Sequence, residues 1–455
     1  MRPNEKTVPG NGAKISINAP LLKECDVLVI GAGVAGISAA VAAARNGMKT
    51  MLVDRDGCVG GTATTGLMVV FMGVSLNTIK GNCEYLIRRL EAAGGAYVAE
   101  NTPFDPEIFK REAENWLLEN GVELLFHANF AQTLIKENRV EGAVLGLKEG
   151  FRTVRCKVLI DTTGDADAAA SAGAGMQLED HLQPMTSIFR MDRVDTPKVI
   201  AYIEEHPEQF FRQRGQITWK IDHIPPFFTL GGFFDQIKEA RQRGELDLPH
   251  DSIWLGPLPR KGQFFINATR VSGLNGSNSV DLTKAEIEAR RQAWQIADFM
   301  TAHIPGFENA RMLDIAVRVG VRETRKIRGQ YILTSDDLRE GKQFEDAVAT
   351  YDFPMDIHGA KGKEETHSWG LIDKQYDIPY RVLLPIGIEN LLVAGRCISV
   401  DTEAHGSTRS MPCCMATGEA AGVAAALAVK EGVAPSSIDY PSLRKLLQAQ
   451  GVNLR

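Results

Sequence analysis

A glycine-rich turn between a short apolar strand and an alanine-rich helix constrains this chain more than any other feature of its sequence. The segment Asp26-Val-Leu-Val-Ile-Gly-Ala-Gly-Val-Ala-Gly36 starts with a β-branched apolar run, which is typical of a strand buried on both faces. Gly31 permits the tight turn, Gly33 lets the backbone approach a pyrophosphate, and Gly36 lets the next helix pack against the sheet. The pattern predicts a parallel βαβ unit that binds a dinucleotide.

The residues after the turn complete this unit. The helix carries Ala40 and Ala44, small residues at helical spacing, and its first backbone N–H groups have no partner within the helix, so they favour a phosphate. The next strand, Met51-Leu-Val-Asp54, ends in an acid that can accept hydrogen bonds from ribose hydroxyl groups. We therefore expect the nucleotide to contact Gly31, Gly33, Ala35, Gly36, Asp54 and Arg55.

A second strand and helix of the same type lie near the other end of the chain. Asn390-Leu-Leu-Val-Ala-Gly-Arg396 predicts a buried strand, and residues Ala416 to Leu427 predict a helix with Pro412 in its first turn. Two such units, far apart in sequence, indicate one FAD molecule that lies across the whole domain. The start of this helix would stabilise the negative charge that develops on a flavin as it accepts a hydride. Alternatively, the helix only fills the core.

Two loops are further candidates for the cofactor site. Residues 57–66 form a glycine-rich stretch that can pass over a flat ring system or bind the second phosphate, although a surface loop has the same composition. Val158-Leu-Ile-Asp-Thr-Thr-Gly-Asp165 predicts a return to the parallel sheet, and Asp165 also suits an ordinary helix start. The predicted FAD contacts therefore also include Gly61, Thr62, Gly164, Asp165, Gly395, Arg396, Met411 and Cys414.

Composition and charge argue against several other classes of protein. The formal net charge is −6 and no block of Lys and Arg occurs, which disfavours a nucleic-acid partner. No apolar run reaches the length of a membrane span, and the polar segment Met1 to Pro20 lacks the apolar core of a secretory signal. The seven cysteines show no paired spacing, which predicts no metal site and a reducing compartment, with the cytoplasm as the default.

The chain is predicted to divide into two interleaved domains. From about Gln183 to Ile304, aromatic residues and prolines gather and the βαβ pattern disappears, which favours an inserted α+β domain that caps the substrate site. We predict an N-terminal arm at 1–19, an FAD-binding domain made of 20–182 and 313–440, and a capping domain at 183–312. The expected fold class is α/β, with a Rossmann-like FAD-binding domain that carries this insertion.

Several segments carry a closer resemblance to a known family. They are Val319-Gly-Val-Arg-Glu-Thr-Arg-Lys-Ile-Arg-Gly-Gln-Tyr331, Ile378-Pro-Tyr-Arg381, Ala394-Gly-Arg-Cys-Ile-Ser399 and Ala404-His-Gly-Ser-Thr-Arg-Ser-Met-Pro412, leading into Gly418-Glu-Ala-Ala-Gly422. The chain resembles the flavoproteins built on the glutathione-reductase type of FAD domain and, among them, the bacterial FAD-dependent oxidoreductases. This resemblance implies a non-covalent FAD whose ring system lies between the capping domain and the loops after Gly61 and Gly395.

One departure from the family pattern concerns Arg396. The superfamily commonly ends its C-terminal strand with Gly-Asp, whose acid binds the ribityl chain, whereas this chain has Gly395-Arg396. We expect a cation at this position to meet the pyrophosphate instead.

Candidates for substrate chemistry are fewer. Hydride removal from a CH–OH carbon needs a base, and reduction of an activated C=C bond needs an acid and an anion clamp. His405 precedes the flavin-facing helix and is predicted either as this acid or base or as a structural hydrogen-bonding residue. Arg409 is predicted to hold a substrate carboxylate or the flavin, Tyr380 to lie on a loop at the ring, and His358 to lie in a Gly-flanked loop.

Three arginines form a further cationic cluster. Arg318, Arg322 and Arg325 occur within one short segment together with Glu323. Salt bridges in the core, with Glu323 as one partner, explain this cluster at least as well as a binding role does.

The sequence therefore predicts an FAD-dependent oxidoreductase that transfers a hydride between a small organic substrate, at a CH–OH or CH–CH group, and a non-covalent flavin. The alternatives are a biosynthetic flavoenzyme of the thiazole-forming or prenyl-reductase type and a binding module that keeps the fold without redox chemistry. The intact glycines and Asp54 argue against the module. The expected partner is a small molecule, with no nucleic acid and no membrane, and a homo-oligomer stays open.

Overall fold

The computed structural model describes residues 16–73, 78, 80–99, 101–210, 227–361, 364–370 and 372–455 of the chain. Most of the predicted N-terminal arm, residues 1–15, lies outside this range. The helices of the described part are α1 (Val34–Arg45), α2 (Asn82–Ala92), α3 (Pro106–Glu119), α4 (Asp167–Ser171), α5 (Thr196–Glu205), α6 (Phe234–Gln242), α7 (Ser279–His303), α8 (Ser335–Glu340), α9 (Thr402–Thr408), α10 (Met411–Glu431) and α11 (Tyr440–Ala449).

Twenty strands accompany these helices in the described residues. They are β1 (Leu21–Ile30), β2 (Thr50–Val53), β3 (Val70–Phe71), β4 (Thr102–Pro103), β5 (Glu123–Leu125), β6 (Asn129–Lys136), β7 (Arg139–Leu147), β8 (Gly150–Asp161), β9 (Met176–Gln177), β10 (Phe189–Asp192), β11 (Leu230–Gly232), β12 (Ile253–Pro257), β13 (Phe264–Asn267), β14 (Arg311–Ile315), β15 (Lys326–Ile327), β16 (Ala347–Tyr351), β17 (Met355–Lys361), β18 (Glu364–Gly370), β19 (Tyr376–Pro379) and β20 (Leu391–Val393).

The larger sheet has the predicted βαβ unit at its centre. Strands β5, β2, β1 and β8 run parallel in this order. The first half of β8 pairs antiparallel with β7, which pairs with β6, whereas its second half pairs in parallel with β20. The loops after β1, β8 and β20 therefore leave the sheet at the same edge, although β20 comes from the far end of the chain. This parallel core confirms the predicted Rossmann-like α/β fold.

Helix α10 packs directly on helix α1, and this contact joins the two ends of the chain. A Cβ atom at Gly418 would lie 2.2 Å from the carbonyl oxygen of Ala35, and one at Gly422 would lie 2.2 Å from that of Ala39. The Ser38 hydroxyl group also donates a hydrogen bond to a carbonyl oxygen of α10 at 2.7 Å. Only glycine lets the two helix backbones approach so closely, so the small residues of both helices serve their mutual packing.

Helix α10 corrects one sequence expectation, that no apolar stretch reaches the length of a membrane span. By length and composition alone, Met411–Glu431 is long and apolar enough to cross a bilayer. Nearly all of it is buried inside the protein, where it packs against α1, α2, α11 and β16. Its apolar character is therefore explained by its place in the core.

A second, antiparallel sheet is formed by the middle of the chain, in the order β11-β12-β13-β10-β14. It has a hydrophobic core of its own, to which helices α5, α6 and α7 contribute. Helix α7 begins at Ser279, because the Asn278 side chain caps it by accepting hydrogen bonds from the N–H groups of Val280 and Asp281. This sheet occupies the segment expected to form the capping domain, whose boundaries stay a prediction.

One carboxyl group is buried in the core between α10 and α2. Glu419 is 1% exposed, and its Oε2 accepts a hydrogen bond from the N–H group of Asn82 at 2.9 Å. Its Oε1 has no hydrogen-bond partner among the described residues. Burial penalises the charged form and raises the pKa of this carboxyl group to about 8. The group therefore keeps its proton in the folded protein at neutral pH.

We expect Glu419→Gln to stabilise the protein at slightly alkaline pH and to change little in acid. Because the folded-state pKa is raised, the protonated group contributes its full stability below its ordinary pKa of 4.5, and this contribution is lost as the pH rises through about 8. A neutral amide removes that loss. Urea unfolding at a series of pH values measures the effect, with Glu431→Gln at the exposed end of the same helix as the control. The prediction is contradicted if the free energy of unfolding depends on pH in the same way for the wild type and for Glu419→Gln.

Candidate functional site

A cavity of about 420 Å³ lies along the edge of the larger sheet where its parallel strands end. Its wall includes Gly31 and Gly33 of the first turn, Asp54 after β2, and Asn267 at the end of β13 in the second sheet. In open α/β sheets, ligands bind outside the carboxyl ends of the strands. The cavity is therefore the candidate functional site, and it extends from the larger sheet to the second one.

The glycine turn leaves room for a ligand. Gly31 has a φ of +100°, and a Cβ atom there would lie 2.6 Å from the Thr162 carbonyl oxygen, so only glycine fits. A Cβ atom at Gly33 would meet no atom within 4 Å, because it would point into open space. Gly36 does not line the cavity; a Cβ atom there would lie 1.9 Å from the Gly31 carbonyl oxygen. Its role is to let α1 start directly beneath the turn.

Asp54 supports the same turn from the end of β2. Its Oδ2 accepts a hydrogen bond from the N–H group of Ala32 at 2.5 Å, and its Oδ1 accepts one from the N–H group of Asp56 at 2.8 Å. Asp54 and the neighbouring Arg55 both line the cavity. The carboxylate thus shapes the turn itself, and its contact with a ribose stays a prediction.

Most other residues predicted at the cofactor also line the cavity. These are Ala35, Gly61, Thr62, Gly164, Asp165, Gly395, Arg396, Met411 and Cys414. The glycine-rich stretch after Asp54 is packed against the first turn, since the N–H group of Gly60 donates a hydrogen bond to the Ala32 carbonyl oxygen at 2.8 Å. Pro412 lies in the first turn of α10, as predicted, and this end of the helix forms part of the wall.

Arg396 contacts two neighbouring loops of the protein. Its Nη2 forms an ion pair with Oδ1 of Asp165 at 2.7 Å, and its Nη1 donates to the Val321 carbonyl oxygen at 2.6 Å. The guanidinium group lies beside Gly164, where a Cβ atom would be 2.8 Å from Nη2. Arg396 lines the cavity as well, and its contact with a pyrophosphate stays a prediction.

Two predicted catalytic residues, His405 and Tyr380, lie outside the cavity wall. His405 is buried in α9, and its Nε2 lies 2.9 Å from the Arg396 carbonyl oxygen. Burial and the nearby Lys326 cation hold the pKa of this imidazole well below its usual range, so it stays neutral. The Tyr380 hydroxyl group donates to the Pro435 carbonyl oxygen at 2.9 Å, and burial raises its pKa. The structure places both side chains in the core, which corrects the prediction that they border the substrate.

His358 and Arg409, the other two predicted catalytic residues, line the cavity and share one carboxylate. Oδ1 of Asp356 lies 3.2 Å from Nε2 of His358, and its Oδ2 accepts a hydrogen bond from Nη2 of Arg409 at 3.2 Å. Asp356 lines the cavity as well. The sequence prediction missed Asp356, although alternate residues of a strand face the same side and it lies two positions before His358 on β17.

The arginine cluster of the sequence is divided between different partners. Arg318 forms an ion pair with Asp56 in the loop after β2, and Arg325 forms one with Asp167 at the start of α4. Glu323, the expected partner, instead pairs with the fully buried Lys326 at 2.6 Å. Arg322 lines the cavity, where its Nη1 donates to the Thr186 hydroxyl group at 2.6 Å. Core salt bridging therefore explains only part of the cluster.

The second sheet contributes cavity residues that sequence reasoning missed. Trp254 of β12, Asn267 of β13 and the following Arg270 all line the cavity. No local motif distinguishes them from the residues of any antiparallel strand pair. Their position becomes apparent only because the second sheet packs at the carboxyl-terminal edge of the first.

The residues present fit an FAD. The space in front of Gly33 is a cradle that a Cβ atom would fill, and the carboxylate of Asp54 lies beside the same turn. The start of α1, whose first N–H groups have no partner within the helix, suits a phosphate. A dinucleotide therefore matches both the shape and the chemistry of this end of the cavity.

We expect Gly33→Val to give a folded protein that no longer retains FAD. A Cβ atom at this position meets no protein atom within 4 Å, so the valine side chain extends into the open space that a pyrophosphate would occupy. The ratio of flavin to protein absorbance after gel filtration measures the loss. Gly146→Val is the matched control, since the atom nearest to a Cβ there, in the Phe151 ring on β8, lies at an ordinary contact distance of 3.6 Å. Wild-type FAD content in Gly33→Val would show that the pyrophosphate binds elsewhere.

Comparisons with known proteins support the same cofactor. The family model described as FAD dependent oxidoreductase matches residues 26–447. Digeranylgeranylglycerophospholipid reductase 2 of Methanopyrus kandleri is 30% identical over 154 residues, which are 31% of this chain and 38% of that protein. Thiamine thiazole synthase of Pyrococcus horikoshii is 28% identical over 154 residues, which are 31% of this chain and 58% of that protein. The matches thus span less than two thirds of these relatives.

Among solved structures, a geranylgeranyl bacteriochlorophyll reductase-like protein of Thermoplasma acidophilum has a TM-score of 0.48 and 15% identity, over 94% of this chain and 83% of that chain. The family match, by contrast, covers most of the sequence and includes both strand-helix units that line the cavity. The chain belongs to the FAD-dependent oxidoreductase family, and FAD is its cofactor.

Proposed function

We propose that this protein transfers a hydride between a small organic substrate, at a CH–OH or CH–CH group, and a non-covalently bound FAD. The observation that carries this proposal is the continuity of the cavity. It joins the glycine turn, where a nucleotide fits, to a wall that bears His358 and Asp356, which can exchange a proton. The bound flavin supplies the hydride chemistry, for which side chains have no equivalent.

The two ends of the cavity have different tasks in this proposal. At the nucleotide end, the turn at Gly31 and Gly33 binds the pyrophosphate, Asp54 binds a ribose, and the start of α10 faces the flavin. We further propose that the larger sheet is an FAD domain of the glutathione-reductase type and that the second sheet caps the substrate. The separate hydrophobic core of the second sheet and its residues on the cavity wall support this division.

His358 is the residue that we expect to move a proton. Removal of a hydride from a CH–OH carbon requires a base for the hydroxyl proton, and reduction of a C=C bond requires an acid that protonates the second carbon. One carboxylate oxygen of Asp356 orients the imidazole of His358. Arg409 donates hydrogen bonds to the other carboxylate oxygen of Asp356 and to the backbone carbonyl oxygen of Asp356. Arg409 thus fixes the position of the Asp356 side chain that orients the ring.

Two observations distinguish this proposal from its alternatives. A yellow protein with the absorption bands of oxidised flavin contradicts the non-catalytic module, whereas a colourless protein that fails to take up added FAD supports it. Bleaching of the flavin by hydroxy acids, sugars or other small alcohols, or oxidation of the reduced flavin by unsaturated acids, supports the proposed reaction. The relatives named above favour testing prenyl lipids and thiazole precursors in the same screen.

We expect His358→Gln to lower the rate of flavin reduction by about 10²- to 10⁴-fold, the usual contribution of a general acid or base, while FAD stays bound. Anaerobic stopped-flow bleaching with the substrate found in the screen measures the rate. His303→Gln is the matched control, because His303 pairs with Glu245 at the end of α7 and does not line the cavity. A rate within about twofold of wild type would show that His358 does not transfer the proton. The pairing of Asp356 with His358 would then serve only the structure.

A further inference from the structure

We infer that the substrate of this site has an apolar body, aliphatic or aromatic, which binds between two apolar surfaces of the cavity. The inference rests on the proposed function, since it names the class of molecule that carries the CH–OH or CH–CH group. The methionine surface consists of Met68, Val70 and Met72, and the tryptophan surface consists of Ile188 and Trp254. The sequence prediction named none of these five residues.

The methionine surface arises from the alternation of side chains through β3. Successive side chains of a strand point to opposite faces, and here Val69 and Phe71 are fully buried in the core. Met68, Val70 and Met72 line the cavity instead. Both methionines are only partly buried, so their side chains present apolar surface to the cavity.

The tryptophan surface belongs to a row of side chains across three strands of the second sheet. Trp254 on β12 is paired with Asn267 on β13. The pairing of β13 with β10 also places Ile188, which directly precedes β10, opposite Asn267. Residues opposite each other on neighbouring strands face the same side, and all three side chains line the cavity. The row therefore presents two large apolar side chains with one amide between them.

Asn101 connects the two segments that carry these surfaces. Its Oδ1 accepts a hydrogen bond from the Gly73 N–H group at 3.4 Å, and its Nδ2 donates to the Thr229 hydroxyl group at 3.1 Å. Gly73 directly follows the methionine surface, and Thr229 directly precedes β11, the strand next to β12. The Trp254 ring lies over β11, because a Cβ atom at Gly231 would be 2.6 Å from it. The ring is thus on the side of the methionine surface, and one ligand can contact both surfaces.

The two surfaces favour one kind of ligand. Moving apolar surface out of water lowers the free energy, so a ligand with an apolar body binds here more tightly than one covered with hydroxyl groups. Methionine side chains are flexible and adapt to the shape of such a ligand. Asn267 adds a polar group to the row, and the few polar groups of an apolar pocket orient the ligand.

The layout of the proposed function assigns these surfaces to the substrate. The flavin faces the start of α10 in that proposal, and α10 packs on the larger sheet, whereas the tryptophan surface is part of the second sheet. His358 lines the same cavity. We therefore expect the apolar body to lie against the two surfaces, with its CH–OH or CH–CH group between the flavin and His358.

The test measures binding by isothermal titration calorimetry of the FAD-loaded protein with n-butanol, n-hexanol and n-octanol. These alcohols share one CH–OH group and differ only in the length of the apolar chain. We expect the dissociation constant to fall about fourfold for each added CH₂ group, the usual effect of burying such a group. Sorbitol, which has as many carbon atoms as n-hexanol but carries a hydroxyl group on each of them, should bind far more weakly.

Variants of both surfaces locate the binding site. Met68→Gln, Met72→Gln and Ile188→Thr should each weaken n-octanol by about 3- to 10-fold, because each replaces apolar contact area with a polar group. Met48→Gln is the matched control, since Met48 is also partly buried against the same hydrophobic core but does not line the cavity. Circular dichroism and FAD content establish that each variant is folded and loaded before the titration.

The possible failures are distinguishable. The inference is overturned if affinity in the wild type does not rise with chain length, or if sorbitol binds as tightly as n-hexanol. It is also overturned if all three variants of the two surfaces bind n-octanol as well as Met48→Gln does. Loss of FAD from folded Met68→Gln and Met72→Gln would overturn it too, since the methionine surface would then hold the cofactor. The proposed function fails differently: the alcohols bind with the expected dependence on length, but no alcohol reduces the flavin and no alkene oxidises the reduced flavin.

Discussion

The contact between α1 and α10 is the constraint on which the rest of the structure depends. Gly418 and Gly422 let the backbone of α10 approach that of α1 so closely that a single Cβ atom at either position would overlap a carbonyl oxygen of α1. The same approach places Gly395, after β20, next to Ala35, where a Cβ atom would lie 2.9 Å from that of Ala35. The two ends of the chain therefore form one wall of the cavity, and larger residues in α10 would separate them.

The two ends of the cavity differ in the groups that they present to a ligand: backbone and glycine at one end, charged side chains at the other. The end of the cavity beside Gly31 and Gly33 exposes backbone and glycine, which suits a pyrophosphate, because backbone N–H groups bind a pyrophosphate only at close approach. The other end is built from charged side chains of three separate segments: Arg270 after β13, Arg322 before β15, and Asp356 and His358 on β17. Recognition of a particular substrate needs such directional side chains, and the second sheet supplies part of them.

The misplaced residues show where a linear motif is insufficient. His405 and Arg409 are both close to the start of α10 in sequence, yet His405 faces the core and Arg409 faces the cavity. A motif that locates a segment near the flavin does not state which side of a short helix such as α9 is turned inward. Arg396 lines the cavity, and its ion-pair partner, Asp165, is remote in sequence and adjacent only across the sheet.

The sequence by itself determined the parallel strand-turn-helix core, the glycines of the nucleotide turn and the family to which the chain belongs. Those features follow from local rules, since a positive φ at Gly31 and an apolar β-branched strand need only their immediate neighbours. The tertiary structure alone decided that Arg270, Arg322 and the pair of Asp356 and His358 share a cavity with this turn. Their encounter depends on how two sheets pack, and that packing is set by contacts spread over the whole chain rather than by the spacing of residues along it.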